Sequence, residues 1–329
     1  MKNIKNILFR GKSVLIRVDF NVPLDKNFNV TDNSRIVAAL PTIQTVIANG
    51  GKAIIISHLG RPKSGFEKRF SLKPIVKILS RLLKVSVKFN GDCVGLNTAL
   101  AVKSMQNGDV LLLENLRFYS EEEEGDEEFA KELSNLADIY INDAFGAAHR
   151  AHASTSVIAK YFNKHKYFGV LLNSEIANLK MALENPKRPF TAIIGGAKIS
   201  GKIDAITSLL NKVDSLIIGG GMAYTFAKAR GGEIGDSLVE EDKIPLARKL
   251  IRLAKTKRVS LLLPLDSINA DSFNNNAKIL ESDIINIADN YMGLDIGKNS
   301  IKLFSKEIID SKTIIWNGPM GVFEMENFE

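Results

Sequence analysis

Cysteine is almost missing from this chain: Cys93 stands alone among 329 residues, so no intramolecular disulfide framework is possible and a reducing compartment is the simplest setting. Long apolar runs are missing too. Charged residues interrupt every hydrophobic stretch, and the start, MKNIKNILFRGKSVLIRVDF, has early lysines but neither an unbroken apolar segment nor a small-residue cleavage site. No signal peptide or membrane span is therefore expected, and the chain reads as a soluble, cytoplasmic protein. Only four histidines occur, none at metal-ligand spacing, which argues against a transition-metal centre. The formal net charge is +7, but no lysine- and arginine-rich block interleaved with aromatics marks a nucleic-acid surface.

What is present is globular: 45% hydrophobic and 25% charged residues without a low-complexity tract. At roughly 100–200 residues per domain the length predicts two domains. Short apolar, β-branched runs alternate with helical patterns from end to end. The predicted strands are residues 13–18, 52–57, 85–89, 110–113 and 138–142 in the first half, and 190–194, 215–218, 260–263 and 313–316 in the second. Their apolar character on both faces fits buried parallel strands. Asn33 or Ser34 can cap a helix with Ile36, Leu40, Ile43 and Ile47 on one face, with Pro41 placed to kink it. Ser71 starts another, lined by Ile75, Ile78, Leu79 and Leu82. The fold class predicted is α/β, two doubly wound, Rossmann-like parallel-sheet domains. The first covers residues 1–168 and the second 186–329, with a helix read over 167–184 supplying a stiff hinge at 169–185.

In open parallel sheets ligands bind beyond the carboxyl ends of the strands. In the first half those ends read Val18-Asp19-Phe20-Asn21 with Arg35 following, then Ser57-His58-Leu59-Gly60-Arg61, Glu114-Asn115-Leu116-Arg117, and Asn142-Asp143-Ala144-Phe145-Gly146 leading to His149-Arg150. One arginine in such a place is ordinarily a surface or capping residue. Four strand ends, each with its own, make a set, and arginine's planar fork matches carboxylate and phosphate oxygens. A small polyanion is the expected ligand, with Asp19 and Asn21 free to read a hydroxyl. His58 and His149 add donors that can carry charge near neutral pH.

The second half places glycine at the same topological position: Gly195-Gly196-Ala197-Lys198, Gly219-Gly220-Gly221 and Asn317-Gly318-Pro319. Together these suggest a nucleotide cradle in which backbone amides approach phosphate. Gly196 to Lys202 has P-loop spacing, but Ile203 stands where Ser or Thr must ligate magnesium, so that assignment is rejected. The acidic run at 121–124, with Asp126, Glu127 and Glu128, reads as a solvated helix start matched to the helix dipole.

VLIRVDFNVPL at 14–24, SHLGRP at 57–62, ENLRF at 114–118, INDAFGAAHRAHAS at 141–154, GGAKISGKI at 195–203, IIGGGMAYTF at 217–226 and WNGPMGVFE at 316–324 resemble phosphoglycerate kinase, in order and over essentially the whole chain. The resemblance implies reversible transfer between the acyl phosphate of 1,3-bisphosphoglycerate and ADP, giving 3-phosphoglycerate and ATP with Mg2+ held through the nucleotide. It assigns Asp19, Asn21, Arg35, His58, Gly60, Arg61, Arg117, His149 and Arg150 to the phosphoglycerate site. Lys198 would neutralise the transferring phosphoryl group, with Arg35 as the second catalytic cation. Lys202 would contact nucleotide phosphate, Gly219 and Gly293 would line the adenosine pocket, and Asn317 and Glu324 would reach the nucleotide. A monomer is expected, with hinge closure bringing Arg35 and Lys198 to one reaction. Gly201 departs from the aspartate usual in the family. The family also continues through a glycine-rich phosphate loop beyond the position of Glu329, so residues 1–329 alone are expected to bind nucleotide weakly and turn over little. Near-normal turnover would refute that expectation. The alternatives are a catalytically inactive protein of this fold that binds only the metabolite, and a dinucleotide-dependent oxidoreductase. The oxidoreductase is disfavoured because no G-x-G-x-x-G follows the first strand.

Overall fold

Val14, Leu15 and Ile16 are all fully buried, yet Val14 and Ile16 pack into one apolar cluster and Leu15 into another. Only a strand covered on both faces explains that, and it accounts for the near-continuous apolar runs in the sequence. The computed structural model describes residues 4–63, 65–148 and 150–328. The chain divides into two compact units, Met1–Asn178 and Leu179–Glu329.

In the first unit β1 (Ser13–Arg17), α1 (Ser34–Ala48), β2 (Lys52–Ile56), α2 (Ile75–Leu83), β3 (Val87–Asn90), α3 (Leu96–Lys103), β4 (Val110–Leu113), α4 (Ser120–Glu124), α5 (Glu127–Ser134), β5 (Ile139–Asn142), β6 (Lys166–Phe168) and α6 (Val170–Glu184) follow one another. The six strands form one parallel sheet in the order β3-β4-β2-β1-β5-β6. The winding runs outward from β1 through β2, then returns to the other side of β1 with β5. That reversal opens a crevice beyond the carboxyl ends of β1, β2 and β5.

The second unit continues with β7 (Phe190–Ile194), α7 (Ile203–Leu209), β8 (Ser215–Ile218), α8 (Met222–Ala229), β9 (Glu233–Ile234), α9 (Ile244–Lys257), β10 (Ser260–Leu262), β11 (Asp266–Ala270), β12 (Ile279–Asp283), β13 (Asn286–Ile287), β14 (Met292–Ile296), α10 (Lys298–Asp310) and β15 (Thr313–Asn317). Its parallel sheet has the order β10-β8-β7-β15, and β15 is an edge whose Ile314 and Trp316 are exposed.

Several local expectations are corrected. Residues 166–168 are not helical but pair with β5 as a sixth strand, so the helix read from 167 begins at Val170. The helix expected from Ser71 begins at Ile75: the Ser71 hydroxyl accepts the Lys73 amide at 3.2 Å and donates to the buried Glu114 carboxylate at 2.7 Å, and residues 73–74 form a turn ahead of the helix. α1 runs unbroken past Pro41. Its start is held not by the Asn33 side chain but by Asp32, whose carboxylate accepts the Ser34 amide at 2.8 Å. After β10 the chain enters an antiparallel sheet, β12-β11-β14, rather than another crossover helix. DSINA is largely buried yet carries Asp, Ser and Asn, ILESD is mostly exposed and MGLDI half-buried, so no apolar run announces them.

Ile16, buried in the central strand, is expected to cost about 2–5 kcal/mol when replaced by Ala in urea unfolding. Leu96, 75% exposed on α3, should stay within about 0.5 kcal/mol under the same change. Equal effects at the two positions would contradict the burial described.

Candidate functional site

The first unit gathers its charges around Arg17, which ends β1 and is only 1% exposed. Its Nε donates to the Ser154 hydroxyl at 2.9 Å, its Nη1 to the Val18 carbonyl, and its Nη2 meets His58 Nδ1 at 3.1 Å. Guanidinium has no acceptor, so His58 Nδ1 must accept and the ring proton is assigned to Nε2. Glu122, fully buried, lies 4.0 Å from Arg17 Nη2 and accepts both the Ser154 hydroxyl at 2.6 Å and the Ser154 amide at 2.9 Å. The acidic run is therefore not a solvated helix face throughout. Glu122 faces inward as the counter-charge of a buried arginine, and Glu123 pairs with Arg117 at 2.9 Å. Asp126 does cap α5, accepting the Phe129 amide at 2.7 Å.

Beyond β1, Asp19 accepts Arg35 Nη1 at 2.7 Å and the Asn21 amide at 3.2 Å. The Asn21 side chain in turn accepts the Gly60 amide at 2.8 Å, and Arg117 Nη1 donates to the Gly60 carbonyl at 2.7 Å. Gly60 has φ +62°, and a Cβ there would stand 2.3 Å from the Phe70 ring, so this turn requires glycine. Asn115 clamps the two loops together: its carbonyl accepts the Leu59 and Arg117 amides at 3.2 and 3.0 Å, and its amide donates to the Leu59 and Phe70 carbonyls at 2.7 and 2.9 Å. Arg61 is exposed and Arg150 half-buried. His149 lies outside the described residues.

These arginines act on common neighbours. Burial first, then Arg17, Arg117, Arg150 and Arg35, push the His58 imidazole down to about 2. The expectation that His58 can be charged near neutral pH is thus corrected; it stands as a neutral donor from Nε2. Arg117 is also lowered, mainly by burial, with Arg150, Arg17 and Arg61 adding to it against Glu123, and its buried Nε has no partner among the described residues. Five guanidiniums face Asp19, Glu122 and Glu123, which leaves positive charge for a polyanion.

In the second unit the glycine-rich strand ends meet. The Gly195 amide donates to the Asn317 carbonyl and Gly196 to the Pro319 carbonyl, both at 2.9 Å, and the Gly220 amide to the Met320 carbonyl at 2.8 Å. These amides are already bonded, so the glycines serve mainly to let three loop backbones pack rather than to present free donors. A Cβ on Gly195 would stand 2.0 Å from the Pro319 carbonyl oxygen. Their packing leaves a cavity of about 450 Å³ whose walls include Leu238, Met292, Leu294, Pro319 and Val322, with Gly293, Asp236 and Glu324 also lining it. Gly219 packs against Met320 instead, where a Cβ would stand 2.1 Å from its Cε. The Lys202 ammonium donates to Asn317 Oδ1. Lys198 is exposed, and the segment between the two lysines is pinned by Glu240, which accepts the Ile199 and Ser200 amides at 2.6 and 3.1 Å. A Cβ on Gly201 would meet nothing within 4 Å, so this departure from the family pattern reflects no steric need.

The family model described as phosphoglycerate kinase matches residues 4–329. The chain belongs to the phosphoglycerate kinase family. It is 50% identical to a phosphoglycerate kinase of Chlorobium phaeobacteroides over 327 residues, covering 99% of this chain and 82% of that relative. It is 54% identical over 327 residues to cytosolic phosphoglycerate kinase 3 of Arabidopsis thaliana, covering 99% of this chain and 80% of that one. The solved structure of phosphoglycerate kinase from Coxiella burnetii matches with a TM-score of 0.74 at 42% identity, over 99% of this chain and 82% of that one. That from Pyrococcus horikoshii gives 0.78 at 29%, over 100% and 83%. The chain is thus a kinase that transfers phosphate to a carboxyl group using ATP and ADP. No helix among the described residues is long and apolar enough to cross a membrane.

Sequence reasoning missed Arg17, Glu122, Ser154 and Glu240. Arg17 had a signal, a lone charge inside the apolar run VLIRV; Glu240 had none, bonding a segment 40 residues away. Because His58 is held below its ordinary value of 6.5 when folded, the unfolded chain binds a proton there that the folded chain refuses, and folding weakens as pH falls below that value. The melting temperature of His58→Gln should therefore fall less steeply between pH 7 and 5 than that of the wild type. Parallel profiles would contradict a neutral, buried His58.

Proposed function

We propose that the charges gathered at the carboxyl edge of the first sheet bind the glycerate substrate, and that the cavity of the second unit binds the adenine nucleotide. The reaction of the family is reversible phosphoryl transfer from 1,3-bisphosphoglycerate to ADP, giving 3-phosphoglycerate and ATP in glycolysis. The observation that carries the reading is the excess of guanidinium charge along the carboxyl edge of the sheet, with an unpaired buried Nε on Arg117 after β4.

Arg61, Arg117 and Arg150 would bind the phosphate and carboxylate groups, with neutral His58 donating from Nε2 and the Gly60 turn and His149 completing the cradle. Asp19 and Asn21 would orient the substrate hydroxyl. Asp19 also holds the free end of Arg35 at 2.7 Å, which aims that fork before any ligand arrives. On the nucleotide side the apolar walls suit a heteroaromatic base, and Glu324 can accept ribose hydroxyls. Gly293 supports the cavity wall: a Cβ there would stand 2.1 Å from the Tyr224 hydroxyl, which is bonded to Ser267 at 2.8 Å. Lys202, with its Asn317 partner, and Lys198 would meet the phosphates, and magnesium would enter with the nucleotide as part of that substrate. Phosphoryl transfer asks the protein chiefly for alignment and for cations on the transferring group. Arg35 and Lys198 fill that role in this reading. We further propose a monomer acting in the cytoplasm on small molecules, without nucleic-acid or membrane partners.

Arg35→Ala should lower turnover by about 10²–10³-fold, the effect of removing one transition-state donor, while ADP affinity measured by calorimetry stays nearly unchanged. Lys202→Ala should do the opposite, weakening ADP by about tenfold, roughly the loss of one charge-assisted hydrogen bond, with little effect on 3-phosphoglycerate. Equal losses for both ligands in either variant would sink the division of roles.

A further inference from the structure

The first turn of α6 is tied to the elements that carry the anion cradle. The Gly169 amide donates to the Asn142 carbonyl at 2.8 Å, Val170 to the Thr42 hydroxyl at 2.7 Å, and Leu172 to Asp143 Oδ1 at 3.0 Å. Thr42 lies on α1 about two turns beyond Arg35. Asp143 follows β5 directly and leads through Gly146 to Arg150. A Cβ on Gly146 would stand 2.9 Å from Asp19 Oδ2, so this loop lies against the carboxylate that holds Arg35.

Asp143 is a costly residue in this position. It is fully buried, its amide donates to the Arg17 carbonyl at 2.8 Å, and its Oδ2 makes no well-formed hydrogen bond among the described residues. Burial pushes its carboxyl up to about 6, opposed by the neighbouring Thr42 hydroxyl and the Leu172 and Leu171 amides. Gly169 makes the approach possible, since a Cβ there would stand 2.2 Å from Asp143 Cγ. A helix start usually takes its cap from the residue just before it. Here the cap comes from a strand end 29 residues earlier. The boundary between the two units, at residues 178 and 179, falls inside α6, so the chain passes from one unit to the other through this helix.

We propose that Asp143 is a positioning residue for phosphoryl transfer: by capping Leu172 it fixes how α6 leaves the first unit and links that to occupancy of the anion cradle. The inference rests on the cradle reading given above. An anion drawn onto Arg150 and Arg35 acts on the β5 loop and on α1, and the first turn of α6 is bonded to both.

The test is hydrogen exchange on the full chain, with and without saturating 3-phosphoglycerate, in wild type, Asp143→Ala and Asp143→Asn. Without ligand, the Leu172 amide should exchange about five- to tenfold faster in Asp143→Ala, the scale of a lost cap, while β1 and β2 keep their protection. Asp143→Asn retains an acceptor and should restore the wild-type rate. With ligand, exchange at residues 170–173 should slow in wild type and in Asp143→Asn, but not in Asp143→Ala, although all three bind. The proposal is overturned if ligand slows α6 equally in Asp143→Ala, or if wild type binds and α6 does not respond. Loss of protection throughout the sheet in both variants would likewise overturn it, reducing Asp143 to a general stabilising residue. Failure of the wild type to bind would overturn the cradle reading and the coupling with it, while the ligand-free rate at Leu172 would still decide the cap.

Discussion

Arg17 is a full charge placed where water does not reach, at the carboxyl end of the central strand of the first sheet. An unpaired ion there would cost several kcal/mol, so its surroundings must answer it. Glu122 supplies the opposite charge and Ser154 bridges the two, its hydroxyl accepting from Arg17 Nε and donating to Glu122. Much else follows. Val18 is pinned by the same guanidinium, and His58 is fixed in one tautomer and kept neutral. The segment after β5 that contains Ser154 is drawn against β1, Tyr140 adding a bond from its hydroxyl to the Ser154 carbonyl at 2.7 Å. The cluster thus has a charged floor satisfied from below; above it Arg35 is paired with Asp19 and Arg117 with Glu123, while Arg61 and Arg150 form no ion pair among the described residues.

In the proposed reading the two units would bind an anion differently. The first uses side-chain forks held by polar clamps at strand ends, among which Asn115 and Glu114 are wholly buried. The second uses backbone proximity, where absent Cβ atoms let the loops after β7, β8 and β15 lie against one another and shape an apolar cavity. In the proposed reading phosphate charge there would fall to two lysines, one set by Asn317 and the other on a segment pinned by Glu240.

The parallel strands were legible because burial on both faces leaves an unbroken apolar run, and β4, β7 and β8 begin and end where the runs do. The antiparallel sheet was not, since its strands carry Asp, Asn, Ser and Glu and none is an unbroken apolar run. Arg35, Arg61, Arg117 and Arg150 were visible as a set, because each lies closely after a strand of one parallel sheet and such ends share an edge; Arg17, inside the apolar run of β1, was not. Their partners were not: Glu122 lies among four consecutive glutamates, and only the three-dimensional placement of Ser154 and Arg17 singles it out. Glycine position was readable in the second unit, but the bonds of the Gly195, Gly196 and Gly220 amides to a neighbouring loop were not, because the sequence cannot say whether an amide meets a ligand or another backbone.

The dependence of the first unit on its buried charge pair is tested most directly by a double-mutant cycle of Arg17→Met and Glu122→Gln in urea unfolding. Each single change should cost about 3–5 kcal/mol, since it leaves the other group buried without its partner. The double variant should cost well under the sum, giving an interaction energy within the 0.5–3 kcal/mol or so expected of groups sharing one network. Strict additivity would contradict the account, showing that Arg17 and Glu122 are buried for separate reasons and that the cradle does not rest on their pairing.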